Sequence, residues 1–215
     1  MDAISLSEGE LAIDADKCVR WLVSSNPAAR VLVCCVELCS LHFASDGDGE
    51  RQVANALFAD GAAAAVLARS DHAPAKIGRF ASRIIPRTDD LMTWAIGDEG
   101  FSMRLSPKVP DVLARHVPGW VRGWLGDAGL TPRDVPSWAI HPGGPRVLSS
   151  VLESLEINEE AGRVSRDVLA GHGNMSSPTV LWIIDRLLRG GGGIPLAAMA
   201  FGPGLTCEGM LLTTR

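Results

Sequence analysis

Two side chains in this sequence stand in frames that ordinary packing does not require. The run Ala139-Ile140-His141-Pro142-Gly143-Gly144-Pro145 carries an imidazole to the end of a short apolar stretch and follows it with a turn of special backbone residues. Glycine lets the backbone approach a ligand closely, and proline fixes the direction in which the chain leaves. The run Gly171-His172-Gly173-Asn174-Met175-Ser176-Ser177-Pro178 sets an uncharged amide after two glycines and ahead of a helix. Asn and Ser are also preferred helix caps, so an ordinary N-cap stands beside a functional role. A third frame, Phe201-Gly202-Pro203-Gly204-Leu205-Thr206, is by itself a rigid turn between strands. All three put polar or special residues where strands and helices end, which is where α/β folds build their sites.

The elements that must position these frames follow from apolar periodicity. Leu11, Ala12, Ala15, Cys18, Val19 and Leu22 recur at helical spacing over residues 10–25, before the stop signal Asn26-Pro27. Arg30 to Cys39 reads as a strand buried on both faces, and Ala59-Asp60-Gly61 as a turn before the small-residue apolar segment that ends at Ala68. Strands are expected over Arg79–Ile85 and on either side of a hairpin turn at Asp98-Glu99-Gly100, and Pro110 opens a helix bearing Val112, Leu113, His116, Val117, Trp120 and Trp124. Trp138–Ile140 is a short buried strand that ends at His141. Arg146–Leu155, Glu159–Leu169 and Ser177–Leu188 are helical, the last stopped by Gly190 to Gly193. Ala197–Phe201 and Cys207–Leu212 form two closing strands. Apolar strands alternating with crossover helices predict a layered α/β fold, a mixed sheet with helices on both faces.

Composition narrows the function. A chain of 215 residues, 47% of them hydrophobic, can bury a sizeable core. The formal net charge of −5 and singly scattered Lys and Arg leave no basic footprint for nucleic acid. No apolar stretch is long enough for a membrane span, and the start MDAISLSEGE is unlike a signal peptide, so the expectation is a cytoplasmic protein without nucleic-acid or membrane partners. Cys18, Cys34, Cys35, Cys39 and Cys207 have no framework spacing and read as reduced thiols. The Cys34, Cys35, Cys39 cluster lies in a strand-like apolar run, where cysteine is a small hydrophobe, and no metal site is expected.

His-Pro-Gly-Gly-Pro, Gly-Asn-Met-Ser-Ser and Phe-Gly-Pro-Gly, in this order and with 33 positions from His141 to Asn174, resemble the chalcone and stilbene synthases and their bacterial type III polyketide synthase relatives. The resemblance extends over Ala29–Val33, Cys35–Phe43 and Ala56–Ala63, and is continuous from about Ala29 to the C-terminus. Condensing enzymes of fatty-acid synthesis share the His/Asn pair, but their histidine segment commonly continues with polar residues. The resemblance implies the C-terminal half of a layered thiolase-like fold, with residues 1–28 a remnant of the N-terminal half and 29–215 the chalcone/stilbene synthase-like domain.

It also implies roles. In such enzymes a cysteine thiolate takes an acyl group from coenzyme A, malonyl-CoA loses carbon dioxide, and the carbanion attacks the thioester. Donors aimed at the enolate oxygen lower that barrier, and His141 and Asn174 match the family's pair. The histidine also keeps the cysteine ionised. Phe58 matches the aromatic residue that shields the malonyl carboxylate from water, with a plain core role as the lesser alternative. Cys39, His42, Met103, Gly143 and Ser176 align with substrate-binding positions, and Gly202, Pro203 and Gly204 with the loop that shapes the cyclisation cavity. Met103 stands where plant members commonly carry a gatekeeper phenylalanine; with the small Cys39 it suggests a cavity that admits aliphatic starters. Coenzyme A thioesters are the implied substrates, with no further cofactor, and a homodimer or a separate N-terminal half is the implied partner.

One departure matters. The nucleophile belongs about where Ser7-Glu8-Gly9-Glu10 stands, and no cysteine is there. Cys18 sits in the apolar stripe of the first expected helix, where it packs. The chain therefore reads as an incomplete synthase: a truncated or mis-started product, a half that assembles with a separately encoded one, or a non-catalytic half that pairs with another synthase chain.

Overall fold

The computed structural model describes residues 25–43, 49–70, 72–97 and 100–214. The expected helix over 10–25, with Cys18, and the Ser7–Glu10 stretch fall outside the described residues, apart from Ser25 itself.

In chain order the elements are strand β1 (Arg30–Glu37), a 3-10 turn over Cys39–His42, helix α1 (Gly49–Leu57), and strands β2 (Gly61–Ala68), β3 (Lys76–Ile84), β4 (Met92–Gly97) and β5 (Gly100–Leu105). Then come α2 (Val109–Gly126), β6 (Ser137–Ile140), α3 (Pro145–Ser154), α4 (Arg163–His172), α5 (Ser177–Arg189), β7 (Leu196–Gly202) and β8 (Thr206–Thr213).

The segment LAAMAFG of β7 has no polar side chain and is buried at every position, which a strand tolerates only at the centre of a sheet covered on both faces. It pairs in parallel with β6 and antiparallel with β8, and β3 completes a four-stranded mixed sheet of order β3-β8-β7-β6. Strand alternation divides its side chains between two cores. Ala197, Met199 and Phe201, with Trp138 and Ile140, meet Leu113, Val117 and Val121 of α2 and Leu148 and Val151 of α3. Ala198 and Ala200, with Ala139, meet Val168 of α4 and Val180, Ile183 and Ile184 of α5. Gly209 of β8 makes room for two indoles on the first side, because a Cβ there would lie 3.0 Å from the Trp124 ring and 3.1 Å from that of Trp120, tighter than ordinary contact.

Helix α5 has a second neighbour. β1 and β2 form a separate antiparallel ribbon whose Val33 and Cys35 pack into the same core. The helix thus lies between two sheets, which gives the thiolase-like layering of strands and helices.

The ribbon departs from expectation. β1 ends at Glu37, not Cys39, and it buries one face instead of both: Val33 and Cys35 are buried while Cys34 is exposed. The outer face pairs Leu32 with Val66, Cys34 with Ala64 and Val36 with Ala62, and its Leu32, Val36 and Val66 are 61%, 67% and 68% exposed. An all-apolar strand cannot reveal by itself which face is covered. Helix α1 was not anticipated; GERQVANAL opens on polar residues, and its few apolar positions resemble a loop. The helix expected over Glu159–Leu169 splits into a 3-10 turn, Glu159–Gly162, and α4.

Leu148 has no accessible surface at the centre of the first core. Leu148→Ala is expected to lower the unfolding free energy by about 2–5 kcal/mol, read as a shift of the urea midpoint.

Candidate active site

The short strand β6 delivers His141. Its ladder runs one residue beyond the strand, with the His141 N–H donating to the Met199 carbonyl at 2.8 Å, and Gly143 N–H then bonds back to the His141 carbonyl at 3.1 Å. α3 begins at Pro145, so the imidazole is fixed between a strand end and a helix start. The ring is buried, and its Nδ1 has no hydrogen-bond partner among the described residues. Burial pushes its pKa from 6.5 down to about 4, because a desolvated imidazolium is unfavourable. His141 is therefore neutral at physiological pH, with one N–H to give.

Asn174 arrives from the opposite direction. α4 ends at His172, and Gly173 takes φ +72°, the left-handed region that favours glycine. A side chain at Gly173 would also meet the Ala59 Cβ at 2.8 Å. The backbone of Asn174 then bridges Phe58: its N–H donates to the Leu57 carbonyl at 2.8 Å, and its own carbonyl accepts from Ala59 N–H at 2.9 Å. Asn174 Oδ1 accepts from Ser176 N–H at 2.9 Å. Only the oxygen of an amide can accept, so this bond fixes the amide orientation and leaves the NH₂ as the donor end. The N-cap reading fails, since α5 is capped at Ser176 with no side-chain capping bond.

One cavity of about 360 Å³ is lined by His141 and Asn174 together with Cys39, His42, Phe58, Met103, Gly143, Ser176, Gly202 and Pro203. Gly204 does not line it. Its carbonyl accepts from the Thr88 hydroxyl at 2.9 Å, and Leu205 N–H donates to that hydroxyl at 2.5 Å, so the buried Thr88 anchors the far side of the loop. The sequence reading missed Glu37 and Trp94. Glu37 lines the cavity and accepts from Ser177 Oγ at 2.5 Å. Its signal was its place between Val36 and Leu38 in an otherwise apolar run. Trp94 contacts His42 edge-on at 5.8 Å between ring centroids and Phe58 at 6.5 Å. With Cys39, His42, Phe58 and Met103 it forms a wall shared with a neighbouring chamber of about 370 Å³.

Cys39 is the thiol of this cavity. Burial, then the negative charges of Glu37 and Asp60, push its pKa up to about 11. It is a neutral thiol, the reverse of an activated nucleophile. Among the described residues no three His, Cys, Asp or Glu side chains gather where they could hold a metal ion. A larger cleft of about 960 Å³ opens at the other end of β6, around Ser137, Arg122 and Arg133, away from all three motifs. In open α/β sheets the chemistry gathers at the carboxyl ends of strands, and the smaller cavity is the one at that end of β6.

The model of the chalcone and stilbene synthases, C-terminal domain, matches residues 77–214. The chain belongs to the chalcone and stilbene synthase family, the type III polyketide synthases. A second model, 3-oxoacyl-(acyl-carrier-protein) synthase III, matches residues 14–86. Among curated relatives, a 1,3,6,8-tetrahydroxynaphthalene synthase of Streptomyces peucetius subsp. caesius is 37% identical over 196 residues, covering 87% of this chain and 52% of the relative. An alpha-pyrone synthesis polyketide synthase-like protein of Mycobacterium tuberculosis is 34% identical over 200 residues, covering 88% and 51%. The chain thus spans about half the length of these relatives. Among solved structures, polyketide synthase PKS-I of the brown alga Ectocarpus siliculosus superposes with a TM-score of 0.91 at 31% identity, covering 95% of this chain and 58% of that one. The 1,3,6,8-tetrahydroxynaphthalene synthase of Streptomyces coelicolor gives 0.90 at 29% identity, covering 99% and 62%. In this type III synthase chain the three motifs of the sequence meet around one cavity.

Two measurements test the electrostatics. Iodoacetamide at pH 8 is expected to modify the exposed Cys34 well before Cys39, whose rate should keep rising toward pH 11; equal rates at pH 8, read by peptide mass spectrometry, would contradict the neutral thiol. For His141 the folded pKa lies below the unfolded one. Above pH 6.5 both states are neutral and the group contributes no slope; below it the unfolded ring takes a proton and the folded ring does not until about pH 4. Stability should therefore fall on acidification through that window, by at most about 1.4 kcal/mol per pH unit, and His141→Gln should flatten the profile.

Proposed function

We propose that this chain is the enolate-stabilising half of a type III polyketide synthase, an acyltransferase acting on malonyl-CoA and an acyl-CoA starter. The observation that carries the reading is the convergence of two neutral, buried donors, His141 and Asn174, on one cavity. Decarboxylation breaks the bond between the malonyl carboxylate and C2, and the electron pair moves into the thioester carbonyl as an enolate. The His141 N–H and the Asn174 NH₂ donate to that oxygen as its charge grows, and in a buried site such donors act at low dielectric. Phe58 offers the departing carbon dioxide an apolar wall. The enolate carbon then attacks an acyl thioester, expelling the thiolate that carried it.

Cys39 is the single cysteine among the described lining residues of the cavity and is held protonated, so the carrier thiol is proposed to come from outside the described residues. A separate N-terminal half is the proposed source of that thiol, with a second copy of the chain as the alternative packing partner, and the exposed apolar face of the β1–β2 ribbon is the surface that favours a partner. The same face supports the second reading, a non-catalytic half that pairs with another synthase chain. Met103 and Cys39, a flexible thioether and a small thiol in the cavity wall, favour aliphatic starters.

Labelled malonyl-CoA tests the first reading. The chain is expected to release acetyl-CoA slowly by itself, and His141→Ala or Asn174→Ala should each lower that rate by about 10²–10³-fold. Co-expression with the N-terminal half of a homologous synthase should add condensation products that His141→Ala abolishes. A stable complex that yields neither acetyl-CoA nor condensation product would favour the non-catalytic half.

A further inference from the structure

We infer that His172, held by Arg186 and Trp182, is a positioning residue that sets the Asn174 amide in the cavity; the inference rests on Asn174 acting as an enolate donor. His172 is the last residue of α4 and stands two positions before Asn174, separated only by Gly173. Its Nε2 lies 2.7 Å from a guanidinium nitrogen of Arg186 on α5. A guanidinium has donors and no acceptor, so the imidazole nitrogen must be the acceptor, which places the His172 proton on Nδ1. The His172 ring packs on Trp182, one turn before Arg186, with centroids 4.6 Å apart, and the Arg186 Cζ lies 5.8 Å from the same indole. The Trp182 N–H donates in turn to the Ala62 carbonyl of β2 at 2.9 Å.

The cluster therefore ties together α4, α5 and β2. These elements lead into Asn174, lead away from it at Ser177, and continue from the Leu57–Ala59 segment on which its backbone is paired. Gly173 N–H still donates to the Leu169 carbonyl of α4 at 2.9 Å, and the next N–H, that of Asn174, donates to the Leu57 carbonyl at 2.8 Å, so consecutive backbone bonds join the last turn of α4 to the Asn174 pair. A rotation of the last turn of α4 passes directly to the Asn174 backbone pair. Donors to a developing oxyanion lose their effect when displaced by a fraction of an ångström, so a clamp outside the cavity has a catalytic consequence.

Amide hydrogen exchange tests the clamp without relying on turnover. His172→Ala is expected to speed exchange at the Asn174 and Ala59 amides by about tenfold, while the amides of β7 and β8 keep their rates. Arg186→Met should reproduce that local pattern, and His172→Gln, whose amide oxygen can accept from Arg186, should restore protection. In the malonyl-CoA assay His172→Ala should lower kcat and leave KM unchanged. Unaltered exchange at Asn174 in both His172→Ala and Arg186→Met, an equal rise across β7 and β8, or failure of the Gln variant to rescue would each overturn the inference. Absence of acetyl-CoA from the unsubstituted chain would instead overturn the catalytic reading and leave the exchange pattern intact.

Discussion

The backbone pair between Leu57–Ala59 and Asn174 is the constraint on which the site depends. It joins the segment that leads into the β1–β2 ribbon to the turn between α4 and α5, through two hydrogen bonds at 2.8 and 2.9 Å. Both partners carry cavity residues, Phe58 on one side and Asn174 on the other. Because the pair is made by backbone atoms, a different side chain at position 58 would change the lining of the cavity without removing either hydrogen bond. Beyond the pair, the ribbon packs on α5, whose apolar residues meet Val33 and Cys35 of the ribbon as well as Ala198 and Ala200 of the four-stranded sheet.

The electrostatics of the cavity follow from burial. The buried imidazole remains neutral because its charged form would be desolvated, and the half-buried Cys39 thiol remains protonated because desolvation and the Glu37 and Asp60 carboxylates both oppose a thiolate. Neutral donors suit a reaction in which negative charge appears on a substrate oxygen only as the bond breaks. Glu37 is the single carboxylate among the described lining residues of that cavity, and its hydrogen bond from Ser177 at the start of α5 holds one of its oxygens.

The outer face of the ribbon is apolar, with Leu32, Val36 and Val66 exposed. On that face Leu32 of β1 lies opposite Val66 of β2, Cys34 opposite Ala64 and Val36 opposite Ala62, an exposed apolar surface of the kind that marks interaction sites.

Local pattern alone determined a great deal. The three glycine-framed motifs marked His141, Asn174 and the Gly202–Gly204 loop, and the apolar runs gave β6, β7 and β8 to within a residue or two, because backbone punctuation and alternation are written in adjacent positions. It could not determine which face of β1 is covered, that Cys39 is held as a thiol, that Gly204 points away to Thr88, or that Trp94 and Glu37 enter the cavity. Each of those depends on which distant segment is opposite a residue, and a sequence specifies side chains without their neighbours. The resemblance suggested that His141 and Asn174 work together; only the packing of α5 between two sheets decided that they share a cavity, because that packing brings the end of β6 and the turn after α4 to the same place.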